Sequence, residues 1–325
     1  MDKIIQQSVP IIGVVLGQVA TQNFPIGPRY HAIHYIFTAT STNGAIPSLT
    51  DVAGLIKLLI NGKTQREHLA AEIDGIQAAY GPGFAYNVYN TGTLAAPTIS
   101  FKTAGQYTVD IHLCLNLSEP WRKAYASVEY LAWPTAWANG TTLQSFQSSI
   151  AIPNTGNVTG LSAISWVEQD AMLGSLDANK NPVTLITKMY RNTVPYAGAG
   201  VLNINTLARK DVCLQISAFT QPGDPVSWVQ VKTDNVIKRD MSAAQLLQTL
   251  INREWNESAV LAAALQAGAT LPLPRFDVAY DYTDFPLDGL NLANVSDYQF
   301  ILTIANGGAA SKIITLIDQR YGNID

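Results

Sequence analysis

Apolar and polar positions alternate along most of the chain. YHAIHYIFTAT (residues 30–40), GLIKLLI (54–60), YTVDIHLCLNL (107–117), TLQSFQSSIAI (142–152), VCLQISAF (212–219), SWVQVKT (227–233) and YQFILTIA (298–305) are the main runs, and in many of them alternate residues are apolar. Successive side chains of a strand point to opposite faces, so this period predicts strands with one face in a core and one in water. Similar runs predict further strands at 97–103, 125–133, 158–167, 184–190, 274–282 and 312–317. The separators STNGAIPS, NTGN, DANKNP, QPGDP and ANGG carry the Gly, Pro, Asn and Asp that tight turns require.

Two stretches switch to the helical period. Residues 56–83 read IKLLINGKTQREHLAAEIDGIQAAYGPG: a strand, an Asn61-Gly62 turn, then Leu69, Ile73, Ile76 and Tyr80 on one helical face. Thr64 and Glu67 fit a capping box and Gly81-Pro82 a stop. A look-alike, VQVKTDNVIKRDMSAAQLLQTLINRE, begins at Val229, with Leu246, Leu247, Leu250 and Ile251 as the stripe and Ser242 and Gln245 as the box. A third helix is predicted over ESAVLAAALQAG, 257–268.

The look-alikes predict a duplication. Arg66-Glu67 laid over Arg239-Asp240 gives an offset of 173 residues (239 − 66), the capping boxes give 178 (242 − 64), and Arg29 and Arg209, each ahead of a strand, give 180 (209 − 29). Near-constant spacing points to two copies of a domain of roughly 160 residues. The expected layout is a β-sandwich over 1–172 and another over 173–325, joined near 168–182. In each, a helix follows an early strand and covers part of a sheet end or edge.

Composition narrows the function classes. The chain's 325 residues are enough for two full cores. Charged residues are 14%, against about 25% in an ordinary soluble protein. The formal net charge of −4 offers no basic field for nucleic acid. A surface poor in charge and rich in Thr, Asn, Ser and Gln is cheap to desolvate. That suits a chain covered by copies of itself, and equally a lectin-like sandwich. VPIIGVVLGQVA (9–20) is shorter than the ~20 residues of a membrane span and reads as a buried strand.

Candidate chemistry is sparse. His31 and His34, three apart in one strand, should face opposite ways, which is wrong for a shared metal. His112 and Cys114 lie two apart on one face, a conceivable half of a metal site that lacks an evident third ligand. Cys114 and Cys213 sit in apolar runs and read as buried free thiols, with a bridge left open. Asp277, Asp281, Asp284 and Asp288 could bind calcium but match no EF-hand spacing, and a solvated loop or subunit seam is favoured. Asp110 and Glu129 could be paired carboxylates on adjacent strands. AYGPGFAY (79–86) lacks the Lys and Ser/Thr of a phosphate cradle, and no G-x-S-x-G occurs. Trp133 and Trp137, in SVEYLAWPTAWANG, read as packing or intersubunit contact before sugar platforms.

In order, FPIGPRYHAIHYIF (24–37), LLINGKTQREHLAAEIDGI (58–76) and SVEYLAW (127–133), with the weaker RKDVCLQISAF and VQVKTDNVIKRD, carry a resemblance. The chain resembles the double jelly-roll major capsid proteins of tailless icosahedral bacteriophages with an internal membrane, of the corticovirus and finnlakevirus type. One departure is Asp234-Asn235, which lacks the glycine of Asn61-Gly62. The resemblance implies an all-β chain with minor helices, built as two tandem eight-stranded jelly rolls. It implies a homotrimer of pseudo-hexagonal outline that tiles an icosahedral shell around a lipid membrane. The chain would be made in the host bacterial cytoplasm and reside in the virion. Its partners would be itself, penton or spike proteins and the nearby inner membrane, with no direct nucleic acid. No catalysis and no cofactor are implied, with calcium possible. In that setting residues 1–20 would reach inward or toward a neighbour. The alternatives are a tandem β-sandwich that binds or cleaves carbohydrate, and a viral spike or receptor-binding protein.

Overall fold

The computed structural model describes residues 3–41, 46–80, 107–118, 131–220, 226–246, 275–279, 289–305 and 311–325. They form two compact units. The first takes the described residues up to Gln77, those from 107 to Ile186, and Ile324–Asp325; the second takes Ala78–Tyr80 and the described residues of Thr187–Asn323.

The strands of the first unit are β1 (Ile4–Gln7), β2 (Val19–Asn23), β3 (Arg29–Ser41), β4 (Leu55–Ile60), β5 (Lys63–Leu69), β6 (Tyr107–Asn116), β7 (Trp133–Pro134), β8 (Phe146–Ala151) and β9 (Gly160–Asp170). Helix α1 (Leu49–Val52) precedes β4, and α2 (Ala70–Tyr80) follows β5. One sheet runs β1-β9-β3-β6, with the two-residue β7 on the start of β3; the other runs β5-β4-β8-β2. The second unit has β10 (Leu185–Ala197), β11 (Gly200–Ile204), β12 (Val212–Phe219), β13 (Val226–Thr233), β14 (Val236–Ser242), β15 (Arg275–Ala279), β16 (Leu290–Asn291), β17 (Tyr298–Ile304) and β18 (Ser311–Asn323). Its sheets run β15-β12-β18-β10, with the short β16 on β12, and β11-β17-β13-β14.

With β7 and β16 set aside, eight main strands remain among the described residues of each unit. Counted in chain order, they fall into the same two sheets both times: first-eighth-third-sixth and second-seventh-fourth-fifth. This is jelly-roll topology, two Greek keys wrapped into facing sheets. It occurs twice.

Period-two patterning builds the cores. On β3, Tyr35, Phe37 and Ala39 are buried and alternate with the less buried His34, Ile36, Thr38 and Thr40. Ile56, Leu58 and Ile60 of β4 and Phe146 and Ile150 of β8 are buried in the other sheet. The buried Tyr35 hydroxyl donates to Ser148 Oγ of β8 at 2.8 Å, tying one sheet to the other. In the second unit, Ile216 and Ala218 of β12, Val229 and Val231 of β13, and Phe300 and Leu302 of β17 belong to one core cluster.

The repeated module is a hairpin followed by a helix. The turn between β4 and β5 places Asn61 and Gly62 at φ 51° and 78°, and the turn between β13 and β14 places Asp234 and Asn235 at 48° and 64°. Left-handed values at both central residues match the right-handed twist of a hairpin, and Asn and Asp tolerate them almost as Gly does. The missing glycine therefore changes nothing in the turn. The bulges fall at Leu58/Leu59 and at Val231/Lys232. Both features share the offset of 173. So do the helix starts, at Ala70 and at residue 243.

Several expectations are corrected. Thr64 and Glu67 do not cap a helix. KTQREHL is strand β5, with Glu67 opposite Lys57 and in an ion pair with it at 3.1 Å. The first cap is instead Glu72, whose Oε2 accepts from Leu69 N at 2.8 Å. Its counterpart is Gln245, whose Oε1 accepts from Ser242 N at 2.9 Å, so the second box is present as read. Arg29 and Arg209 are not equivalent: bulges at Tyr30/Ala32 in β3 and Cys213/Gln215 in β12 set that offset at 183 (213 − 30). Residues 192–207, between the runs predicted at 184–190 and 212–219, hold the end of β10 and all of β11. Of the strand expected over 125–133, the described end pairs only as β7.

The stretch 9–20 is not a buried strand. Gly13 and Gly17 sit at φ 79° and 75° and turn it, leaving Val9, Ile12, Val15 and Val19 exposed. β1 lies antiparallel on β9 of its own unit. The strands and helix expected over 97–103 and 257–268, and the Gly81-Pro82 stop, lie outside the described residues.

Candidate functional site

The four histidines separate by environment. His31 is fully buried, its Nε2 2.7 Å from Asp170 Oδ2. Asp170 also receives Arg29 Nη2 at 2.6 Å and the Met172 N–H at 2.8 Å. Burial raises the Asp170 pKa, but these donors together outweigh it and hold the carboxyl at about 2. His68, on β5, is also buried; loss of water and the Arg66 charge lower it to about 3.

His34 lies elsewhere, on the outer face of its sheet. The bulge between Tyr30 and Ala32 falls at His31 itself, and the ladder runs without a shift from Ala32 to His34. His34 Nδ1 is 3.3 Å from His112 Nε2, its Nε2 is 3.1 Å from Glu168 Oε1, and the two imidazoles stack with centroids 5.3 Å apart. Cys114, directly opposite His34 on β6, has Sγ 3.9 Å from His34 Nε2. The pair His112 and Cys114 thus gains His34 and Glu168 as neighbours, from strands that sequence spacing could not bring in. Among the described residues, no group of three or more His, Cys, Asp or Glu has the geometry to hold a metal ion.

Both cysteines are free and buried. Burial raises the thiol pKa of each, and a neighbouring carboxylate, Glu168 for Cys114 and Asp318 for Cys213, raises it further. Both stay protonated at neutral pH and neither is a nucleophile. Asp110 accepts the Thr38 hydroxyl at 2.5 Å, while Glu129 lies outside the described residues. Asp277 pairs through its backbone with Ser217, and Asp281, Asp284 and Asp288 lie outside the described residues.

Trp133 and Trp137 are interior packing. Trp133 is fully buried, with the Arg66 guanidinium 5.1 Å above its ring and Phe146 beside it. Trp137 donates Nε1–H to Val183 O at 3.0 Å. Its indole lies so close to Gly174 that a Cβ there would come within 2.3 Å of Nε1. Sequence reading missed Arg66 as an organiser. Its Nη1 donates to Asn116 O at 2.7 Å and Nη2 to Leu117 O at 3.3 Å, joining β5 to the end of β6.

What the units present outward is apolar surface and paired edges. Ile4, Ile5, Ile12, Val15, Val19 and Ile164 are exposed on the first unit, and Val201, Trp228, Val236, Ile237 and Ile313 on the second. At the β6 edge, Gln77 of α2 donates to Cys114 O at 2.7 Å and accepts from Asn116 N at 3.0 Å. A helix here occupies backbone groups that an open edge would offer to another strand.

No family model and no curated protein matches this sequence. Solved structures do match in fold. The major capsid protein of bacteriophage PM2 aligns with a TM-score of 0.67 at 12% identity, covering 100% of this chain and 98% of that one. A structure of Sulfolobus Turreted Icosahedral Virus aligns at 0.65 and 13% identity, covering 99% and 91%. The Faustovirus major capsid protein aligns at 0.65 and 7% identity, covering 100% and 90%. The chain has the double jelly-roll fold of these proteins.

Proposed function

We propose, starting from a double jelly-roll fold shared over its whole length with viral major capsid proteins, that this chain is the major building block of a viral shell. The observation that carries the reading is the second complete roll. A single eight-stranded sandwich serves many functions. Two of identical topology in one chain, with neighbours of similar length that are capsid subunits, favour a geometric role. Three such chains supply six similar walls, so a closed trimer has pseudo-hexagonal symmetry and can tile a surface.

In this reading the chain acts without catalysis. It associates with itself, with penton or spike proteins at special positions and with an internal membrane beneath, and it resides in the virion. The exposed apolar residues are surface that such self-association would cover.

Size-exclusion chromatography with light scattering tests it. The expected particle has three times the 35.1 kDa chain mass, and electron cryo-microscopy of the same material should show a pseudo-hexagonal outline. A monomer at every concentration that forms no larger assembly would sink the reading.

A further inference from the structure

The trio on the outer face of the first unit's β1-β9-β3-β6 sheet forms a hydrogen-bonded chain across three strands. Glu168 comes from β9, His34 from β3 and His112 from β6. With both rings neutral, one arrangement of protons satisfies both contacts. His112 Nε2–H donates to His34 Nδ1, and His34 Nε2–H donates to the Glu168 carboxylate. That state carries one negative charge.

One added proton fits without breaking either bond. His34 then holds protons on both nitrogens: Nε2–H still donates to Glu168, and Nδ1–H now donates to His112 Nε2, whose own proton sits on Nδ1. The trio becomes neutral. A second added proton would leave two N–H groups facing each other at 3.3 Å on two cationic rings, and both the hydrogen bond and the charge balance fail.

We propose that His34, His112 and Glu168 form a one-proton switch, which neutralises this patch of the sheet face on mild acidification and resists a second proton. The surroundings agree. Burial and the neighbouring His34 charge lower the His112 pKa. The hydrogen bond from His34 lowers Glu168 against opposing burial, with help from the charges of His34, Lys3 and His31. Of the other groups on these elements, Asp110 is engaged by Thr38, and the Cys114 thiol stays protonated. Helix α2 meets β6 through the uncharged Gln77. The proposal concerns the isolated chain and stands apart from the capsid reading. Its consequence is that covering this face becomes easier in mild acid, because a neutral trio loses less on desolvation than a carboxylate.

Imidazole proton resonances followed by NMR against pH test the switch. In the intact chain the pair should take up two protons in separate steps, the second below the ordinary histidine range of about 6.5. His34→Gln should leave His112 a single step, higher than the second step of the intact pair but still held below that range by burial. Glu168→Gln should move the first step of the intact pair to lower pH. Two rings titrating together and independently, each unmoved by loss of the other, would overturn the proposal. Should His34→Gln not fold, the separation of steps in the unaltered chain and the Glu168→Gln shift still decide it.

Discussion

Asn61 and Asp234 hold equivalent places in the two units. Asn61 Oδ1 accepts the backbone N–H groups of Gln144 and Ser145 at 2.8 and 3.2 Å, just ahead of β8. Asp234 Oδ1 accepts those of Ser296 and Asp297, both at 2.9 Å, just ahead of β17. Each residue also donates its own N–H to that loop, to Ser145 O and Asp297 O. One residue therefore makes the turn and docks it. Asn61→Ala should lose about 2–3 kcal/mol of stability, from two hydrogen bonds and a left-handed backbone without side-chain support. Asn61→Gly should lose less, because it keeps the backbone freedom. Urea denaturation of both variants checks the order, and Asp234→Asn should be milder than Asp234→Ala.

Arg66 is 1% exposed and holds two backbone carbonyls as well as the Trp133 ring. Arg66→Met keeps much of the volume but strands both acceptors. The expected loss is about 3 kcal/mol or more, with Arg66→Lys intermediate because an ammonium cannot match the planar fork. Denaturant midpoints at constant slope read the result.

Acid should weaken the fold in two stages. His68 has a folded pKa of about 3, below its unfolded value of about 6.5, so the unfolded chain binds the proton first. The stability it contributes as a neutral ring is whole above pH 6.5 and falls by about 1.4 kcal/mol per unit toward pH 3. Asp170, at about 2 in the fold and about 3.9 unfolded, contributes fully above pH 4 and loses that contribution as pH falls toward 2. His68→Gln should flatten the first stage and Asp170→Asn the second. Asp170→Asn should also cost about 3 kcal/mol at neutral pH, because Arg29 and His31 stay buried beside it. Stability measured across the pH range in each variant tests both signs.

β1 exposes all four of its residues, Ile4 and Ile5 among them. Removing residues 1–8 should leave the melting temperature within a few degrees of the intact chain while reducing association into larger particles. Calorimetry and light scattering on the same sample separate the two effects. Equal loss of both would place β1 in the core of stability instead.

Period-two patterning made the β class legible, and the hairpin-helix pair at Asn61 and Asp234 made the duplication legible. The boundary between β5 and α2 was not. KTQREHL carries a capping signature by chance, and only its pairing with β4, through Lys57 and Glu67, shows that the strand continues. The offset of 180 from the two arginines failed because the spacing is not constant: the connection from β3 to β4, which carries α1, is longer than that from β12 to β13, and no local pattern reveals this. The His34, His112 and Glu168 chain was hidden for a further reason. Its members come from strands far apart in sequence, and sheet order brings them together.

Sheet order also constrains synthesis. In each unit the last main strand, β9 or β18, lies inside its sheet, between β1 and β3 or between β12 and β10. A ribosome that has not yet delivered that strand leaves a split sheet with two raw edges. Closure waits for contacts between distant parts of the chain, so folding of each roll should be slow and late. Chains released before residue 160, or before residue 311, should be the aggregation-prone species in the cell.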